Sequence, residues 1–205
     1  MIFFSSDQHF WHRNVLQYSN RPFQSIEEMN EVLVYNWNTI VSPDDTIYCL
    51  GDFSLAFRSV ELYTSRLFGK KNLVLGNHDM AHSYHRRSRD PENRAKWIEN
   101  YVNNGWIVLP EQTTLEHNGT TYNLCHHPYT FDNSSTPQAY DDKYANWRPV
   151  DNGNVLLCGH VHNSWKTKVS QKGTLMINVG VDVWDYHPVS MSEIENLIKS
   201  NTYQE

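Results

Sequence analysis

The stretch Leu73-Val74-Leu75-Gly76-Asn77-His78-Asp79 decides how the chain is read. Its first three residues form a short apolar run of the kind that makes a buried strand. The run stops at a glycine, and three side chains able to bind a metal or move a proton follow at once. The same order recurs elsewhere. Ile2-Phe3-Phe4 leads to Asp7 and His9, Thr46 to Leu50 leads to Gly51-Asp52, and Val155 to Cys158 leads to Gly159-His160-Val161-His162. In α/β sheets, ligands collect in the crevice beyond the carboxyl ends of the strands. Strands that deliver Asp, Asn and His to such an edge predict a site, and these residue types predict a metal site.

The chain of 205 residues suits one sizeable domain, residues 1–205, with its own core. A formal charge of -6 argues against wrapping long nucleic acid, which usually needs a broadly basic face. No apolar run is long enough to cross a bilayer, and the N-terminus lacks the charged head and apolar stretch of a signal peptide, so no membrane role is expected. Cys49, Cys125 and Cys158 each fall at or near a strand end. An odd number in such places predicts buried, reduced thiols and a cytoplasmic setting.

Between the metal-bearing turns the pattern is helical. Ser25-Ile26-Glu27-Glu28 has the form of a capping box, and behind it Ile26, Met29, Leu33, Trp37 and Ile40 recur at three- and four-residue steps. Residues 55–68 read as a second helix closed by Gly69, and Asp90-Pro91 opens a third that runs to about Val102. Trp106 to Leu109 reads as a strand. Asn118-Gly119 between two alternating segments predicts a tight hairpin. Residues 129–153 lose periodicity but hold Phe131, Tyr140, Tyr144 and Trp147, which predicts an ordered loop near the site. Strands at 166–170 and 175–179 follow. A second capping box, Ser190 to Glu193, starts a C-terminal helix carrying Ile194, Leu197 and Ile198.

Collected in order, the signature is Asp7-x-His9, Gly51-Asp52, Gly76-Asn77-His78-Asp79, His126 and Gly159-His160-x-His162. Any one of these residues has an ordinary explanation as a turn, a helix cap or a satisfied core histidine. Five blocks in sequence, each ending a strand, are a specific signal. The pattern resembles the calcineurin-like metallophosphoesterases, and the tail Asn178 to Asp182 is similar to their small single-domain bacterial and phage members.

The resemblance implies a four-layer α/β/β/α sandwich: two mixed β-sheets face to face, with helices outside. It implies two divalent ions, Mn²⁺ first, with Fe²⁺, Zn²⁺ or Ni²⁺ as alternatives. Asp7, His9 and His162 would hold one ion, Asn77, His126 and His160 the other, and Asp52 would bridge them. Two cations roughly 3.5–4 Å apart neutralise phosphoryl oxygens and bring the pKa of a bridging water from about 16 towards 7. The resulting hydroxide would attack phosphorus in line. His78 would be the general acid for the leaving oxygen, with Asp79 orienting it.

His126 is preferred to its neighbour His127 as ligand, because the family pattern there is His, an aromatic or similar residue, then Pro. His12, His127 and Arg86 are candidates for substrate contact, with Arg86 drawn from the basic run Arg86, Arg87 and Arg89. His82, His85, His117 and His187 have no assigned role. Trp11 stands where the small members carry Gly, and its bulk beside His12 is expected to narrow the mouth. The expected partner is a small, nucleotide-like phosphate ester. A nuclease is the first alternative, and a metal-poor scaffold is disfavoured because none of the seven ligand positions is missing.

Overall fold

Short apolar runs punctuated by polar turns build two sheets here. In the computed structural model, which describes residues 1–130 and 144–201, β1 (Ile2–Ser5), β2 (Thr46–Cys49), β3 (Lys70–Val74) and β4 (Trp106–Leu109) lie side by side and parallel. The second sheet is made of β5 (Gln112–His117), β6 (Thr120–Cys125), β7 (Val155–Cys158), β8 (Thr167–Val169) and β9 (Leu175–Asn178), in the order β5-β6-β7-β9-β8. Its pairs β6–β7 and β7–β9 are parallel, and the outer strands β5 and β8 are antiparallel to their neighbours. The residues Val189–Ser190 form β10, which returns antiparallel to β1 and completes the first sheet. Both sheets are therefore mixed, and helices flank them.

The two-residue period of the strands sorts side chains between two cores. Phe3, Ile47, Cys49 and Leu73 face α2 (Ile26–Ile40), α3 (Phe57–Thr64) and α4 (Pro91–Asn103), where they meet Leu33, Trp37, Val60 and Tyr101. Phe4, Val74, Leu124, Leu157 and Ile177 fill the space between the sheets, and α5 (Met191–Asn201) adds Ile194 to that cluster. A short helix, α1 (Val15–Tyr18), sits in the first loop. The remaining face of the second sheet carries Cys125, Leu156, Cys158 and Met176, covered by Tyr129 and Trp165.

Local signals explain most boundaries. Ser25 Oγ accepts the Glu28 amide at 3.1 Å, and Asp90 caps α4 by accepting from the Asn93 amide at 3.0 Å. Ser190 and Glu193 form the full reciprocal box. Asn118 and Gly119 both take positive φ, 49° and 75°, as a two-residue hairpin turn requires.

Two readings shift, and one strand escaped the sequence. The second predicted helix contracts to α3, because its end tightens into the three-residue bonds Arg66 N–H to Tyr63 and Leu67 N–H to Thr64. The organising strand starts earlier, with Lys70 and Lys71 paired to Thr46 and Ile47, and stops at Val74. β10 is too short to carry a periodic signal. Phe131 and Tyr140 lie outside the described residues.

Candidate metal centre

The parallel strands of both sheets point their carboxyl ends at one place, and the turns that follow are tied together by backbone. The Asp7 amide donates to the Gly51 carbonyl and the His9 amide to that of Asp52, each at 3.0 Å. Across the sheets, the Val181 amide donates to the Ser6 carbonyl at 3.0 Å, and the His160 amide donates to the Asp7 carboxylate at 3.0 and 3.2 Å.

Asp7, His9, Asp52, His160 and His162 all sit at positive φ, between 47° and 72°. This left-handed region is uncommon outside glycine, tolerated best by Asn, Asp and His, and collects at functional sites. There the chain doubles back sharply while the side chain is aimed inward. Gly51, at φ +91°, has a second reason to be glycine: a Cβ would strike the backbone of Gly76 and come within 2.9 Å of His126 Nδ1. A Cβ on Gly159 would collide with Ser6 Oγ and the Asp7 carboxylate.

The candidate ligand atoms fall into overlapping groups: one of Asp7, His9 and His162, one of His126, His127 and His160, and one of Asp7, Asp52 and His126 that joins them. Asp7, His9 and His162 place one ligand atom each within 4.8 Å of one another. His9 Nε2 lies 3.8 Å from Asp7 Oδ1 and 3.6 Å from Asp52 Oδ2, and His162 Nε2 lies 3.9 Å from Asp7 Oδ1. These gaps are too long for hydrogen bonds. On the other side, His126 Nε2 is 3.3 Å from Asp52 Oδ2 and 3.3 Å from His160 Nδ1. Asp52 Oδ2 therefore faces both groups.

Among the described residues, four buried side-chain atoms lack a hydrogen-bond partner: His9 Nε2, Asn77 Oδ1 and His127 Nε2, in the turns after β1, β3 and β6, and Asn30 Nδ2 on α2. Buried polar atoms are nearly always satisfied, so orphans at one spot need an explanation. A divalent cation bound by nitrogen and oxygen supplies one.

The electrostatics carry the same message. Burial pushes the Asp7 carboxyl up, against the pull of His162 and His126. Burial pushes Asp52 up as well, but His126 and other imidazoles overcome it and hold it well below the usual carboxylate range. Burial opposes charge on His126, yet Asp52 lifts it to about 9. Burial holds His9 well below an ordinary imidazole, and burial with His126 brings His160 down to about 3. A cation bound among these groups would compete with a proton on His126.

The outer partners set which nitrogen each imidazole offers. His126 Nδ1 donates to the Leu50 carbonyl at 2.7 Å, which leaves Nε2 facing inward. His162 Nδ1 is 3.0 Å from Asp182 Oδ2, and His9 Nδ1 is 3.1 Å from His12 Nδ1. His78 is 39 % exposed and stands at the mouth, its Nε2 4.0 Å from Asp52 Oδ2.

Asp79 departs from its expected part. It is fully buried, and its carboxylate accepts the amides of Gly76, Asp52 and Phe53 at 2.8, 2.9 and 3.2 Å. Asp79 thus ties the turn after β3 to the turn after β2, and the carboxylate beside the His78 imidazole is Asp52. Burial and Asp52 push Asp79 up to about 7, against those amide donors.

The other candidates divide. His12 reaches the cluster through His9. His127 is buried, 4.6 Å from the His160 ring and 4.9 Å from that of His126. Burial and those neighbours keep it neutral. Arg86 stands exposed in the turn Arg86–Ser88 and is not part of the cluster. Tyr144 packs on His127 and His160, and Trp147 donates to Ser83 Oγ at 2.6 Å. Trp11 occupies φ 60°, where glycine would rest without strain, and its indole reaches the Tyr63 hydroxyl on α3. Two residues that sequence reasoning missed are Arg21 and Asp182, a buried pair behind His162. The signal available was the tail Asn178 to Asp182, noticed only as a resemblance.

A two-sheet α/β fold whose strand ends gather Asp, Asn and His around one carboxylate defines a metal-dependent phosphoester hydrolase. The profile of the calcineurin-like phosphoesterase superfamily domain matches residues 2–191, and the chain belongs to that family. It is 31% identical to an uncharacterized protein of Methanocaldococcus jannaschii over 97% of this chain and 91% of that one. It is 28% identical to the gene 66 protein of Mycobacterium phage L5, over 95% and 92% of the two chains. A crystal structure of a protein of unknown function from Aquifex aeolicus superposes with a TM-score of 0.65, at 27% identity over 96% of this chain and 98% of that one. No helix among the described residues is long and apolar enough to cross a membrane.

Proposed function

We propose that the chain acts as one catalytic domain with a dinuclear centre and hydrolyses a small, nucleotide-like phosphate ester. The observation that carries this reading is Asp52 Oδ2, which lies 3.6 Å from the buried, partnerless His9 Nε2 and 3.3 Å from His126 Nε2, with Asn77 Oδ1 a second buried, partnerless atom in the turn whose His78 amide bonds Asp52. Asp7, His9 and His162 would hold one ion, Asn77, His126 and His160 the other, and Asp52 both. The donor set is imidazole and oxygen without thiolate, which suits Mn²⁺, Fe²⁺, Zn²⁺ or Ni²⁺, with Mn²⁺ our first choice. When bound, the ions supply Lewis acidity toward phosphoryl oxygens and water.

The chain does the rest. The His78 amide donates to Asp52 Oδ1 at 2.9 Å, so Oδ2 is left to face the two ion positions. Leu50, Asp182 and His12 fix the rings of His126, His162 and His9. His78, at the mouth, is placed to hand a proton from its imidazole to the departing oxygen. Asp79 acts through the backbone that carries Asp52 and Asn77. His12, beside the rings of His9 and His78, faces the substrate side, His127 backs His126 and His160, and exposed Arg86 would reach only an outlying part of the substrate. Tyr144 beside His160 gives a base a ring to stack on, which favours a nucleotide over a simple monoester. The three buried cysteines, all unbridged, support a cytoplasmic setting.

The deciding experiment is a turnover screen with Mn²⁺ over cyclic and linear nucleotides, dinucleotides, p-nitrophenyl esters and a labelled oligonucleotide. Fastest turnover of a small nucleotide diester or monoester is expected. Preference for the oligonucleotide, with salt-dependent binding, would establish a nuclease instead. No turnover and fewer than two ions per chain would sink the hydrolytic reading.

A further inference from the structure

Arg21 and Asp182 lie 161 residues apart, and their side chains are 0% and 1% exposed. A buried ion pair is weak evidence for stability, because desolvation costs about as much as the attraction returns. Its placement says more. Arg21 Nε and Nη2 grip Asp182 bidentately at 2.7 and 2.9 Å. The same Nη2 donates to the Asp7 carbonyl at 2.6 Å, and Nη1 donates to the Gln8 carbonyl at 3.0 Å and toward Met29 Sδ at 3.3 Å. Asp182 Oδ2, the oxygen held by Nη2, is the one 3.0 Å from His162 Nδ1.

One guanidinium therefore holds two walls of one ion position. It fixes the backbone that aims Asp7, and it fixes the carboxylate that takes the Nδ1 proton of His162. An imidazole so engaged offers Nε2, which is the nitrogen facing Asp7 Oδ1. Ser19 Oγ lies at the same 3.0 Å from His162 Nδ1, but a carboxylate is the stronger acceptor. At the other position, His126 takes its orientation from the Leu50 carbonyl, and the tie to this pair is indirect, through the Asp7 carboxylate that accepts the His160 amide.

We propose that Arg21 and Asp182 are positioning residues for the ion held by Asp7, His9 and His162, ahead of its neighbour. The inference rests on the dinuclear reading above. Loss of the pair then depletes one position more than its neighbour, whereas a purely structural pair would loosen both together.

The test is calorimetric titration of the metal-free protein with Mn²⁺, for the wild type, Asp182→Asn, Arg21→Lys and Ser19→Ala. Electron paramagnetic resonance is recorded at two equivalents, and near-ultraviolet circular dichroism reports folding. The wild type is expected to take two ions and give a spin-coupled spectrum. Asp182→Asn should weaken one binding step by about 10- to 100-fold and leave the other within about threefold, so that the six lines of an isolated Mn²⁺ replace the coupled signal. Arg21→Lys keeps the charge but loses the fork, and should weaken the same step; it decides the matter if Asp182→Asn does not fold. Ser19→Ala should change neither step by more than about threefold. Parallel weakening of both steps, or no change in either, overturns the proposal. A wild type that binds one ion refutes the dinuclear reading; the proposal then stands if Asp182→Asn weakens that ion and falls if it does not.

Discussion

Asp79→Asn separates two accounts of one carboxylate. If Asp79 serves His78, its loss should slow proton donation and leave the fold alone. If it serves the backbone, as its bonds to Gly76, Asp52 and Phe53 imply, the loss should appear first in stability. Asparagine keeps one acceptor oxygen. With that oxygen where two amides converge, both bonds survive but fall from charge-assisted to neutral strength, about 1 kcal/mol less each. The new amide group then faces a third backbone donor, and an unsatisfied buried N–H costs about 1–3 kcal/mol. Relief of burying a charge offsets part of this sum. The expected net loss is about 2–4 kcal/mol.

The assay is urea denaturation of metal-free protein at pH 8, above the value of about 7 to which burial and Asp52 push this carboxyl. It is paired with turnover of esters whose leaving groups differ in pKa. A fall in unfolding free energy, with rates lowered evenly across the esters, supports the structural role. Stability within about 0.5 kcal/mol of wild type, with rates lost only for poor leaving groups, would refute it.

His78→Ala should retain both ions by mass spectrometry and slow esters with poor leaving groups by about 10²–10⁴, sparing p-nitrophenyl esters; loss of an ion would make His78 a ligand. Gly51→Ala should cost more than about 4 kcal/mol, since a left-handed backbone alone costs an L-residue about 1–2 and the new Cβ meets the Gly76 backbone. A urea midpoint close to wild type would contradict that. Burial opposes ionisation of Asp182, but hydrogen bonds from His162 and Arg21 hold its carboxyl below the usual range. A depressed carboxylate stabilises above its unfolded value, near pH 4, and loses that stabilisation as pH falls through the folded value. In chelator, the wild type should therefore weaken below about pH 4 more steeply than Asp182→Asn, by urea midpoints at pH 6, 4 and 3.

The sheets and the ligand turns were legible because their causes are local. A glycine at a strand end followed by Asp, Asn or His advertises both a close approach and a donor. Asn118-Gly119 and the two capping boxes likewise act within four residues. What escaped is what the chain brings together over distance. Nothing near Arg21 in sequence announces Asp182. Asp79 shows the converse error, where adjacency suggested partnership: it follows His78, but in a tight turn neighbours point apart, and its carboxylate reaches back 27 residues to the Asp52 amide. The burial of His127 was equally hidden, because a position beside a candidate ligand says little about exposure.

The strained backbone and the misfit charges belong to one design. Five candidate ligands hold left-handed conformations, each costing about 1 kcal/mol or more, and Asp7, Asp52 and Asp79 are packed together out of water. The surroundings over-determine these conformations: the Gly51–Asp7, Asp52–His9 and Ser6–Val181 bonds, the Asp79 amides and the Arg21 fork hold the turns before any cation arrives. A site made this way spends folding stability on preorganisation, so an incoming ion finds donors already aimed and little entropy left to lose. The same rigidity explains why the stitches lie in backbone amides and a guanidinium rather than in flexible surface pairs. A ligand set drawn from both sheets can keep its spacing only if the sheets cannot slide at the ends where they meet.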